Sequence, residues 1–145
     1  DQHSRLTLVP SRLAIDGAGG SLGCDMRLPI SKGSAHYLPR LEQAAASRGL
    51  SFRAGFCQEP LFLGEEHPLV QTLLEVYREV SGDQAARPLV QGGGTYAKTM
   101  PNCLAFGPEL PGQPSLAHQV DEAIGIDHLL QLAKIYARAV YRLAK

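Results

Sequence analysis

From Ile126 to Lys145 the polar side chains Asp127, Gln131, Lys134, Arg138, Arg142 and Lys145 fall in one narrow stripe at helical spacing. The stripe leaves a wide apolar face of Leu129, Leu130, Leu132, Ala133, Tyr136, Val140 and Leu143. A helix with so broad an apolar face must pack it against another layer, which restricts the chain to architectures that stack helices on helices or on a sheet. Acid near its start and bases near its end suit the helix dipole. A second helix is predicted over His67–Val80, with Leu69, Leu73, Val76 and Val80 on one stripe, Val70, Leu74 and Tyr77 beside it, and Gly82 as the stop.

Upstream the period changes. Leu6, Leu8, Leu13 and Ile15, interrupted by Pro10, suggest a strand pair or an edge strand bent at the proline, and Gly17 to Gly20 a turn. Leu22, Cys24, Met26 and Leu28 then alternate with Ser21, Gly23, Asp25 and Arg27, so Asp25 and Arg27 share the polar face of a strand. Ser34 is a suitable cap for a helix burying Tyr37, Leu38, Leu41, Ala44 and Ala45 and stopped by Gly49, and Leu50, Phe52, Ala54 and Phe56 alternate again. Strand, helix, strand reads as a β-α-β unit of a small α+β sandwich. Pro60 to Glu66 reads as a hinge, with a boundary near residue 62, and Leu89-Val90 and Cys103–Phe106 read as short strands.

With 145 residues, 44% of them hydrophobic and 19% charged, the chain can bury one domain-sized core or two small ones. Lys plus Arg and Asp plus Glu are equal at 14 each, which gives no basic field for nucleic acid and no polybasic patch for a membrane surface. No apolar run approaches the roughly 20 residues that span a bilayer. The opening Asp1-Gln2-His3-Ser4 reads as the abrupt start of a piece cut from something longer. Cys24, Cys57 and Cys103 are odd in number and outside any CxxC pair, so neither a disulfide framework nor a structural zinc site is indicated, and a reducing cytoplasm fits best.

Chemistry concentrates between Gly92 and Glu122. Gly92-Gly93-Gly94 before Thr95-Tyr96 lets backbone amides come close to a ligand, because no Cβ stands in the way. His118, followed by Gln119, Asp121 and Glu122 in a Gly/Pro-rich stretch, is of a type that can ligate a metal, although on context alone it reads as a loop histidine. Arg27 beside Asp25 is, on spacing alone, a solvated pair. Glu65-Glu66 read as acids at a helix start, and His67 as a helix-start residue. His3, His36 and His128 carry no motif and default to the surface, and the cysteines read as packing residues.

The order Asp25-Met26-Arg27-Leu28-Pro29, His67-Pro68-Leu69-Val70, Gly92-Gly93-Gly94-Thr95-Tyr96 and His118-Gln119-Val120-Asp121-Glu122 resembles the C-terminal part of a dipeptidase V (carnosinase-like) enzyme. That family lies in the aminoacylase and carboxypeptidase superfamily of di-zinc amidohydrolases, and the resemblance covers nearly the whole chain. It implies an α/β protein: residues 1–62 as part of an α+β lid or dimerisation domain, and residues 63–145 as the C-terminal part of a zinc-peptidase catalytic domain with its helices and short strands. It also implies two zinc ions in the intact enzyme, with His118 as the last zinc ligand. Arg27 would grip the free carboxylate of a small peptide substrate, and Gly93, Gly94 and Thr95 would contact the bound peptide. Asp121 and Glu122 would orient His118 through its second ring nitrogen.

In that family the general base and the other ligands lie upstream, so the resemblance places no catalytic residue within this chain and implies that the chain alone is inactive. Lys98 departs from the arginine that the resemblance leads one to expect there. Two zincs in such an enzyme polarise the scissile carbonyl and activate a bridging water. Expected partners are the peptide and either another copy or the N-terminal part, with no nucleic acid and no membrane. Two other readings are open: a related amidohydrolase of the succinyl-diaminopimelate desuccinylase or aminoacylase type, and a non-catalytic α+β association module whose glycines merely turn the chain.

Overall fold

The computed structural model describes residues 5–90, 93–107, 109–114 and 116–145, so Gly92 of the glycine triplet and His3 lie outside the described residues. The chain is a mixed α and β protein that divides into two compact units. One unit comprises Asp1–Phe62 with Val90–Leu104, and the other Leu63–Leu89 with Ala105–Lys145.

The first unit opens with an antiparallel hairpin of β1 (Thr7–Asp16) and β2 (Gly19–Arg27). Asp16 closes the turn, its Oδ1 accepting from the backbone N–H groups of Ala18 (2.8 Å) and Gly19 (3.0 Å). Pro10 cannot donate to a ladder, and the register shifts by one residue between Pro10 and Arg12. The shift keeps the hairpin amphipathic. Leu8 faces Met26 before it and Leu13 faces Leu22 after it, and Met26 and Leu22 lie an even number of residues apart, so all four occupy one face. Two strands cannot bury that face: Leu13, Ile15 and Leu22 are 69%, 75% and 60% exposed.

The helix α1 (Ser34–Ala46) follows, capped by Gly33 rather than by Ser34, which is its first helical residue. Gly49, at φ 71°, ends the turn after it, and the Leu50 N–H returns to the Ala45 carbonyl (3.1 Å). The expected strand at Leu50–Phe56 is not formed: residues 51–62 run without a ladder, and the order is β-β-α rather than β-α-β. Alternation supplies a face but not a partner, and β1 and β2 satisfy each other over a two-residue turn whose closure costs little entropy. The same rearrangement leaves Tyr37, Leu38, Leu41 and Ala45 of α1 half-buried, with no fully buried residue on that helix.

In the second unit α2 (Pro68–Ser81) packs against α3 (Ile126–Leu143). His67 is the N-cap of α2, its Nδ1 accepting from the Leu69 N–H at 3.2 Å, with Pro68 in the first turn and Gly82 left-handed (φ 79°) at the far end. Glu65 and Glu66 therefore precede the cap instead of lying in the first turn. Val70, Leu73, Leu74 and Val76 of α2 and Leu132, Ile135 and Ala139 of α3 are buried. Polar contacts fix the register and show the pair to be antiparallel. Gln131 donates to the Val80 carbonyl (3.4 Å), Arg138 Nε lies 2.7 Å from Glu79 Oε2, and Arg142 reaches Glu75 (3.1 Å) and Glu79.

The expected strands at Leu89-Val90 and Cys103–Phe106 are absent among the described residues. Instead, the backbone beyond Cys103 is pinned to the helices by two tyrosines: Tyr136 donates to the Phe106 carbonyl (3.3 Å) and Tyr77 to the Glu109 carbonyl (3.2 Å). Burial raises the pKa of both phenols, in the direction that favours the neutral donor form, and Phe106 adds an edge-on contact with the Tyr136 ring at 5.9 Å.

Candidate functional site

In the first unit Arg27 ends β2, paired with Thr7 and on the same face as Asp25. The next residues, Leu28 and buried Pro29, leave the strand for α1. Gly93 and Gly94 are exposed and lead into a short 3-10 helix, Tyr96–Thr99, capped by Thr95. Thr95 Oγ1 accepts from the Ala97 N–H (3.3 Å) and its carbonyl from the Lys98 N–H (3.1 Å), so the residue, itself exposed, shapes the turn. A Cβ on Gly93 would meet nothing within 4 Å, and one on Gly94 would lie 3.8 Å from Gln58 Oε1. The approach to Gly93 is open, whereas Gly94 is faced by a carboxamide.

A cavity of about 280 Å³ lies beside this turn, lined by Gln58, Glu59, Pro60, Leu61 and Lys98. Its wall is tied to α1 across 25 residues of sequence: the Ser34 backbone N–H donates to Glu59 Oε1 (3.2 Å) and Oε2 (3.1 Å), and the Ser34 hydroxyl donates to Oε1. No spacing rule connects Ser34 with Glu59, which is why sequence reasoning missed the contact. The two Ser34 donors, the hydroxyl first and the N–H second, lower the Glu59 pKa below the usual carboxylate range. A carboxylate depressed in the folded state contributes stability that is present above its unfolded pKa and lost as pH falls through its folded one. Acidification below the ordinary glutamate range is therefore expected to release the Ser34 amide, seen as a pH-dependent shift of its NMR resonance. A resonance insensitive to acid would show that the contact is not made.

In the second unit His118 and Asp121 both adopt left-handed backbone, at φ 62° and 60°. Two such non-glycine residues within four positions make a tight and costly turn, and residues of this kind cluster where a side chain must be presented in one direction. The Gln119 N–H donates to the Leu116 carbonyl (3.0 Å), and the His118 backbone N–H to Glu122 Oε2 (3.3 Å). Glu122 thus holds His118 by its main chain, and the His118 side chain is exposed. As a donor, one exposed imidazole on an ordered turn suits a metal. As a complete site it does not suffice, since no group of three or more His, Cys, Asp and Glu among the described residues is placed to hold an ion. Arg27, Gly93, Gly94 and Thr95 fall in the first unit and His118, Asp121 and Glu122 in the second.

The sequence pattern of peptidase family M20/M25/M40 matches residues 35–142. The match takes in α2, the glycine turn, the His118 turn and all but one residue each of α1 and α3, and the chain belongs to this family, whose members are in general metal-dependent peptidases. Among individual relatives, the chain is 40% identical to "Putative dipeptidase YtjP" of Bacillus subtilis (strain 168) over 130 residues, 90% of this chain and 27% of that protein. It is 32% identical to a protein of Staphylococcus haemolyticus (strain JCSC1435), also named a putative dipeptidase, over 86% of this chain and 26% of that one. It is 31% identical to "Putative dipeptidase" of Staphylococcus epidermidis (strain ATCC 12228 / FDA PCI 1200) over the same shares. The chain spans about a quarter of the length of these relatives.

Proposed function

We propose that this chain contributes the substrate-carboxylate grip and one metal ligand to a zinc-dependent dipeptidase acting on small peptides with a free C-terminal carboxylate. The observation that carries the reading is the strained His118 turn, in which two left-handed residues and a carboxylate-bound main chain hold one exposed imidazole. Residues 1–62 are assigned to a lid and residues 63–145 to the end of a catalytic domain.

Each residue's task follows from its chemistry. The Arg27 guanidinium offers parallel donors to both oxygens of a carboxylate. Gly93 and Gly94 expose main-chain groups to a peptide backbone, with Thr95 fixing the turn that carries them. His118 supplies one imidazole, and Glu122 and Asp121 hold its loop. Two zinc ions, when bound, polarise the scissile carbonyl and make water a nucleophile near neutral pH. The remaining ligands and the base must come from outside the described residues, so the chain alone is expected to leave dipeptides intact.

Three cysteines, Cys24, Cys57 and Cys103, all free, support a cytoplasmic setting. The uncovered apolar face of the hairpin supports association with another copy or with further parts of a protein of the relatives' length.

The test is made in an enzyme of the relatives' length carrying this chain. Arg27→Lys should weaken kcat/KM for unblocked dipeptides by about 1–3 kcal/mol, because a two-pronged charged contact becomes a single one. C-terminally amidated peptides should be nearly unaffected. Equal losses on both substrates would make Arg27 a structural strand residue.

A further inference from the structure

We infer that Glu59 is a positioning residue for the glycine turn, acting through the Gln58 wall that it anchors to the start of α1. The functional part of this inference rests on the peptidase reading above; the geometric part does not.

Helix α1 begins without a side-chain cap of its own and without an acid in its first turn. Glu59 supplies both from 25 residues away, taking the Ser34 backbone N–H on two oxygens and the Ser34 hydroxyl on one. Gly33 makes room for it, since a Cβ there would lie 2.4 Å from Glu59 Oε2. Residues 51–62 have no ladder among the described residues, so this carboxylate is the anchor that the segment has in place of strand pairing.

The consequence reaches the turn through the adjacent residue. Gln58 Oε1 faces Gly94 at 3.8 Å from the missing Cβ, and Gln58, Glu59, Pro60 and Leu61 line the same cavity as Lys98 of the 3-10 helix. The glycine turn is closed from within by the Thr95 cap and by the Lys98 N–H bond to the Thr95 carbonyl, yet Gly93, Gly94, Thr95 and Tyr96 are all exposed, so packing adds little to it. A peptide backbone laid on Gly93 and Gly94 would therefore meet a surface whose far wall is set by Glu59. Ser34, Gly33 and Glu59 form a strap rather than an isolated cap.

Two variants approach this strap from opposite sides. Glu59→Ala removes the acceptor, and Gly33→Ala obliges its flexible carboxylate end to shift. Amide hydrogen exchange on the whole chain should show, for both, loss of protection at Ser34 and a rise of about fivefold in exchange at Lys98 and Met100, the amides that close the 3-10 turn. The double variant should exchange no faster than either single one, because both break the same contact. Glu59→Gln, which keeps one acceptor oxygen, should restore most of the protection.

In the active enzyme of the relatives' length the same variants should raise KM for dipeptides about fivefold with kcat little changed, the pattern of lost ground-state positioning. Exchange that accelerates only within α1 would reduce Glu59 to a helix cap and overturn the inference. So would faster exchange at Lys98 and Met100 in Glu59→Ala with Ser34 still protected. A parent enzyme that cleaves no dipeptide would instead sink the peptidase reading and leave the exchange result to decide the role of Glu59.

Discussion

Replacing His118 with Ala, in an enzyme of the relatives' length carrying this chain, should lower dipeptide hydrolysis by more than roughly a hundredfold. Loss of a mere outer partner of a metal ligand already costs about 10–100-fold, and a direct ligand must cost more. Bound zinc, measured by mass spectrometry after dialysis, should fall in parallel. Glu122→Gln offers the graded comparison. Its carboxylate meets the His118 backbone N–H rather than the ring, and an amide oxygen can still accept that bond at 3.3 Å. The turn should survive with a smaller loss of activity. Asp121→Gly is equally informative, since glycine accepts a φ of 60° without strain and tests whether the carboxylate matters beyond the backbone shape. If His118→Ala keeps its zinc and its rate, the strained turn presents the imidazole for some other purpose and the metal role must be abandoned.

The legible parts of this chain were those whose signal is local. The 3.6 period located α2 and α3 to within a few residues, and His67-Pro68 and Gly82 marked the ends of α2 because capping is written in adjacent positions. The proline-interrupted run at Leu6–Ile15 was readable as strand, but not that the shift at Pro10/Arg12 would return Leu13 to the Leu8 face. The strand at Leu50–Phe56 failed for the complementary reason: alternation states a preference, and a ladder needs a partner. Long-range contacts were the least legible. Nothing in the residues forecasts that Glu59 reaches Ser34, or that Tyr136 and Tyr77 hold the Phe106 and Glu109 carbonyls. For the candidate site, residue types suggested chemistry at His118, but only the backbone shows that Glu122 engages its main chain. The breadth of the α3 apolar face also concealed its centre. The line actually buried runs through Leu132, Ile135 and Ala139, while Leu129 and Leu130 are 53% and 56% exposed.

That line sets the largest expected effect on stability. Ile135 is 2% exposed and Val76 of α2 is fully buried, the most enclosed side chains of the helix pair. Ile135→Ala should destabilise the second unit by about 2–5 kcal/mol, the usual range for removing a buried aliphatic side chain when the cavity cannot collapse fully. The higher helix propensity of alanine returns only a few tenths of a kcal/mol. Val140→Ala on the same helix, at 67% exposure, is expected to change stability by less than about 0.5 kcal/mol. The contrast with the charged ladder decides what holds the pair together. Arg142→Ala removes contacts to Glu75 and Glu79, but those side chains are 59% and 39% exposed, so solvent screening should limit its cost to about 1 kcal/mol or less. Urea unfolding followed by amide exchange in α2 and α3 separates the three. A cost for Ile135→Ala no greater than that for Arg142→Ala would mean that the ion pairs, not the buried line, hold α2 to α3. The effect should also extend beyond the helices. Tyr77 holds the Glu109 carbonyl from α2 and Tyr136 the Phe106 carbonyl from α3, so loosening the pair loosens two points upstream of His118 within the same unit. Protection of the His118 and Gln119 amides should therefore decline in Ile135→Ala and remain unchanged in Val140→Ala.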